Sequence, residues 1–79
     1  MNPTKEPPDF SKLFEKWPSP LVARPEVSRF SGGILNSKTM ANHDSNGTGP
    51  AGRVKIGRKV AYPVDSLIAW LESRATRLN

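Results

Sequence analysis

The run Arg53-Val54-Lys55-Ile56-Gly57-Arg58-Lys59-Val60-Ala61-Tyr62 constrains the fold more than any other part of the chain, because apolar and polar residues alternate on both sides of one glycine. A period of two is the signature of half-buried strands, so the run predicts a β-hairpin. The turn decides which side chains share a face. A three-residue loop Gly57-Arg58-Lys59 sets Ile56 opposite Val60 and Val54 opposite Tyr62, with all four in phase. A two-residue Gly57-Arg58 turn pairs Ile56 with Lys59 and Val54 with Ala61, scattering the apolar set over both faces. The longer loop is the expectation, with Gly57 supplying the left-handed backbone. That loop leaves Arg58 and Lys59 projecting from the tip, while the face that Arg53 and Lys55 occupy depends on its length.

Four cations around one glycine suit a polyanion, with DNA as the first candidate. The net charge of +5 is distributed to match: residues 1–23 hold three Lys against three acids, and residues 24–79 hold nine Lys or Arg against four. At 79 residues the chain holds one small domain, with no room for a deep substrate cavity. It has no cysteine, which excludes disulfides, thiolate nucleophiles and Cys-based zinc sites. His43 is the single histidine and has no second ligand at metal spacing, so neither a metal nor another cofactor is expected. No paired carboxylates or Ser–His arrangement stands at catalytic spacing, and an enzyme is not expected. Pro3, Pro7 and Pro8 with nearby acids are unlike a signal peptide, and no apolar run reaches spanning length. The expectation is a soluble, intracellular protein with no membrane partner.

Residues 1–20 read as a mostly flexible extension, with a short amphipathic helical turn over 10–17. Phe10, Leu13, Phe14 and Trp17 follow an i, i+3, i+4, i+7 spacing behind Asp9, which is placed to cap, and Pro18 and Pro20 stop the turn. That face folds back on its own domain or docks on a neighbouring copy or protein partner.

Residues 21–79 read as the folded domain. Pro25 opens a helix of about two turns with Val27 and Phe30 on one face, ended by Gly32-Gly33. Ile34 and Leu35 follow as apolar plugs. Asn36 caps a second helix that turns Met40 inward and Ser37, Lys38, Ala41, Asn42 and Ser45 outward. Residues 45–52 form a turn-rich connector without the order of a nucleotide-phosphate cradle. Pro63 opens a last helix with Asp65 in its first turn, Arg74 and Arg77 near its end, and a buried stripe of Val64, Leu67, Ile68, Leu71, Ala75 and Leu78. Trp70 is expected to close the gap against the hairpin.

The order helix, tight turn, helix, basic hairpin, helix is that of an α+β winged helix-turn-helix: a helix-turn-helix, a two-stranded basic wing and a closing C-terminal helix. Here the chain resembles the AlpA and excisionase type of small DNA-binding protein, related to MerR-like winged domains. The resemblance rests on Arg24-Pro25-Glu26-Val27, Asn36-Ser37-Lys38-Thr39-Met40, the wing from Arg53 to Val60 with its Ile-Gly-Arg-Lys, and Pro63-Val64-Asp65-Ser66-Leu67-Ile68-Ala69-Trp70-Leu71. It covers about the last two thirds of the chain. The turn Gly32-Gly33-Ile34-Leu35 is longer than the usual connection, and His43 stands where the pattern tends to have a large apolar residue. The resemblance implies an excisionase (recombination directionality factor) or transcription regulator of a phage or integrative element. Such a factor binds short sites in double-stranded DNA and directs a tyrosine recombinase (integrase) or controls a promoter.

On this reading Ser37, Lys38, Ala41 and Asn42 form the DNA-facing side of the recognition helix, and Arg53, Lys55, Arg58 and Lys59 the wing contacts. Asn42 is the first candidate base reader, since an amide pairs two atoms of adenine, and Lys38 reading guanine is the alternative. One small footprint gives modest affinity, so cooperative, head-to-tail filling of repeated sites is expected. The alternative from another class is a protein-interaction adaptor using Phe10, Leu13, Phe14 and Trp17. RNA is disfavoured for want of an exposed aromatic platform.

Overall fold

The computed structural model describes residues 9–76 and 78, without the side chains of Ser11 and Phe14. The proline-rich residues 1–8, Arg77, and the Phe14 part of the amphipathic face lie outside them. The described chain is a small α+β fold. Its elements are α1 (Ser11–Lys16), β1 (Leu21–Ala23), a 3-10 turn (Arg24–Glu26) running into α2 (Val27–Phe30), α3 (Ser37–Ser45), β2 (Val54–Ile56), β3 (Lys59–Pro63) and α4 (Val64–Arg74).

The strands form one antiparallel sheet in the order β1-β3-β2. β1 goes beyond what the sequence suggested, since three residues are too short to display a period of two. It is held by the register Val22↔Tyr62, and Val64 N donates to Pro20 O at 2.9 Å just beyond it.

The hairpin is where it was expected, but its turn is the shorter one. Ile56 pairs with Lys59 and Val54 with Ala61, so Gly57-Arg58 is a two-residue loop. Gly57 has φ +63° at the first central position, as a type II′ turn requires. The in-phase argument failed because it assumed a core beneath the whole hairpin. The tip extends past the core, so Ile56 remains 63% exposed and Val54 39%. With no burial to reward phasing there, the turn whose twist matches the strands prevails.

Helix α1 starts one residue later than expected, with Phe10 at the N-cap position, and ends where Trp17 turns extended before Pro18. It folds back against α4, and the Phe10 backbone amide donates to Glu72 Oε2 at 2.8 Å. Trp17 sets its ring edge-on to Phe30 with centroids 5.3 Å apart, and its Nε1 donates to Leu21 O. The Arg29 guanidinium lies over the Trp17 ring, 4.9 Å from its centroid.

Val27 and Phe30 are buried, as their shared face predicts, and Leu35 plugs the core. Ile34 does not: it is 77% exposed, because the Gly32-Gly33 turn points it outward. Asn36 caps α3, its Oδ1 accepting from Thr39 N at 2.8 Å, and Met40 is fully buried. In α4, Val64, Leu67 and Ile68 join the core and Leu71 packs at its margin. The stripe stops there. Ala75 is extended and Leu78 is 92% exposed, since no core surface remains to cover a further turn. Trp70 covers the end of α3 and the following loop rather than the hairpin. Its Nε1 donates to Thr48 O at 2.8 Å and its ring meets His43 edge-on.

Candidate nucleic-acid interface

Capping by Asn36 leaves the first turn of α3 with Ser37 and Lys38 exposed, and burial of Met40 turns the helix so that Asn42 is exposed as well. Ala41 is half-buried beside them. Lys38 stands three residues before Ala41 and four before Asn42, so these side chains share one face. His43 sits at the margin of that face, half-buried, with Nδ1 2.9 Å from Thr48 Oγ1 and its ring against Trp70.

The hairpin cations divide by register. Residues directly opposite each other on paired strands share a face. Lys55 opposite Val60 therefore stands on the face that carries Tyr62 and Val22, and Lys59 opposite Ile56 stands on the other. Arg58 occupies the turn between them. All three are exposed, and among the described residues neither they nor Lys38 form an ion pair. Arg53 differs: its Nη1 lies 3.9 Å from Asp44 Oδ1.

Asp44 is the residue that sequence reasoning missed. It is the buried acid of the core region, with Oδ2 accepting from Arg24 Nη2 at 2.6 Å and from the Tyr62 hydroxyl. Arg24 Nε also donates to the Tyr62 oxygen at 3.0 Å, closing a three-way cluster between the entry to α2, the end of α3 and the middle of β3. Burial pushes the Tyr62 phenol above its ordinary pKa, and the hydrogen bond to Asp44 adds to that. The Arg24 guanidinium is likewise held charged, first by its bond to Tyr62. A signal existed in the sequence. Asp44 follows the inward-facing Met40 by four residues, and an acid one turn along a buried face requires a cationic partner.

Phe10, Leu13 and Trp17 pack against the margin of the chain's own core. The connector after α3 does more than connect. Gly49 is placed so that a Cβ would collide with Asp44 Oδ1, while Thr48 receives Trp70. No helix among the described residues is long and apolar enough to cross a membrane. Compared with known families, curated proteins and solved structures, the chain matches no family model, no curated protein and no solved structure.

Proposed function

We propose that the chain is a sequence-specific double-stranded DNA-binding protein of winged helix-turn-helix type. The observation that carries this reading is the set of exposed cations without ion-pair partners among the described residues, Lys38 on α3 and Lys55, Arg58 and Lys59 on the hairpin. A fold that spends buried surface on pairing Arg24 with Asp44 leaves these charges to solvent, where a phosphate backbone is the matching partner.

In this mechanism α3 enters the major groove. Ser37 and Lys38 meet phosphates at the helix start, Ala41 lets the backbone approach closely, and Asn42 reads an adenine edge. The hairpin tip follows an adjacent phosphate run, with Arg58 and Lys59 as its contacts. The resemblance in residues 24–71 supports a role as an excisionase or promoter regulator of a phage or integrative element. A tyrosine recombinase is the protein partner on that role, the sites are short repeats filled cooperatively head to tail, and the setting is the bacterial cytoplasm.

Fluorescence anisotropy on the chain's own upstream and attachment-site DNA, against a scrambled duplex at two salt concentrations, tests the reading. Tighter and steeper binding to native DNA supports it. Equal weak binding that salt abolishes would leave only a basic surface and turn attention to a protein partner.

A further inference from the structure

One oxygen of Asp44 has no hydrogen-bond partner among the described residues. Oδ2 is shared by Arg24 and Tyr62, whereas Oδ1 is buried and, among the described residues, accepts no hydrogen bond. A buried acceptor left without a donor is costly, and an ionised carboxylate has lone pairs enough for two guanidinium groups. The Arg53 guanidinium stands within ion-pair range of it, with Nη1 3.9 Å away on a side chain 48% exposed.

Arg53 stands immediately before β2, at the root of the hairpin's outer strand. β2 is three residues long, exposed throughout, and bonded to β3 alone. Gly49 packs directly against Oδ1, where a Cβ would collide with it.

From this we infer that Arg53 is a positioning residue and not a DNA contact: its guanidinium closes on Asp44 Oδ1 and fastens the root of the hairpin to the last turn of α3. The cluster then spans four segments, with Arg24, Asp44, Tyr62 and Arg53 setting the angle between hairpin and helix. The purpose assigned to that angle, letting α3 and the tip engage one duplex, rests on the proposed DNA-binding function; the anchoring itself does not.

The test compares Arg53→Ala, Arg53→Lys and Arg58→Ala in the full chain by two independent measurements. Amide hydrogen exchange of the free protein should run severalfold faster in β2 and β3 of Arg53→Ala, with α4 unchanged and most of the protection restored in Arg53→Lys. On matched duplex, Arg53→Ala should bind more weakly with an unchanged salt slope. Unchanged exchange in the hairpin would overturn the anchor. So would a slope flattened by about 0.9, the loss of one phosphate contact expected for Arg58→Ala. If no duplex is bound at all, the DNA-binding reading falls and the exchange measurement alone decides for or against the anchor.

Discussion

Arg24 Nη2 donates to Asp44 Oδ2 over 2.6 Å, joining the 3-10 turn before α2 to the last turn of α3 across 20 residues of chain. Removing the acid leaves the guanidinium with no carboxylate and the Tyr62 hydroxyl with no acceptor. Asp44→Ala should therefore cost about 3 kcal/mol, the low end for a broken buried pair, because a quarter of the Arg24 side chain keeps its contact with water. In a domain whose total stability is on the order of 5 kcal/mol, that is most of the margin. Urea unfolding with an unchanged m-value checks it; a loss below about 1 kcal/mol would show that hydration of Arg24 replaces the pair.

Tyr62 supplies a pH signature. Its phenol is pushed above 10.0, chiefly by burial and next by the bond to Asp44. The folded state thus holds this proton more tightly than the unfolded chain. Its contribution to stability is complete below the unfolded pKa of about 10 and is lost as pH rises through the folded value. Tyr62 is the single tyrosine, so phenolate absorbance reports it alone. The native protein should ionise at higher pH than the urea-unfolded chain, and Tyr62→Phe should remove that part of the alkaline destabilisation. Coincident titration of folded and unfolded protein would show that Asp44 and burial leave the phenol unperturbed.

Gly49 is required for space and not for backbone conformation, since its φ is not positive. A Cβ there meets Asp44 Oδ1, and the carboxylate cannot rotate away without releasing Arg24 and Tyr62. Gly49→Ala should cost about 1 to 3 kcal/mol, as overpacking does. Because it acts through Asp44, its cost should largely vanish in an Asp44→Ala background. Full additivity of the two substitutions by thermal or urea unfolding would place the damage elsewhere.

The contrast between what could be read in advance and what could not follows from the range of each interaction. Val27, Phe30 and Met40 were placed inward by helical spacing, and Asn36 by capping chemistry, because both depend on neighbours within one turn. The hairpin's location was legible from its alternation, but its register depended on how far the core extends beneath it. Leu78 misled for a similar reason: its spacing continues the α4 stripe past the point where anything remains to cover it. β1 and the partners of Asp44 depend on residues 18 to 42 apart, so helical spacing could mark Asp44 as inward-facing without naming Arg24 or Tyr62. At the candidate interface, residue types were legible in α3 and the hairpin. The division of Lys55 and Lys59 between two faces came only with the register.

Trp17 ties the N-terminal segment to the domain through its edge contact with Phe30 and its bond to Leu21 O. Trp17→Ala should cost about 2 to 3 kcal/mol, somewhat less than a fully buried Trp because the ring is half-exposed. Deleting residues 1–20 should do at least as much, since it also removes Phe10 and Leu13 from α4. A truncated chain with unchanged melting temperature would show that this segment is dispensable to the fold and free to serve a partner.

Arg58 and Asn42 separate affinity from sequence reading. Arg58 sits in the turn with no ion pair among the described residues, so the proposed DNA-binding function assigns it a phosphate contact. Arg58→Ala should weaken matched and random duplexes alike and flatten the salt slope by about 0.9. Asn42 is exposed on the α3 face that carries Lys38, and the same proposal makes it the base reader, since an amide can pair with adenine through two hydrogen bonds. Asn42→Ala should cost about 1 to 3 kcal/mol on the preferred site, relax one base position, and leave the salt slope unchanged. Anisotropy titrations of both variants on matched, singly substituted and scrambled duplexes distinguish the two effects. An equal loss on every duplex for Asn42→Ala would make it a surface residue and move base recognition away from the exposed face of α3.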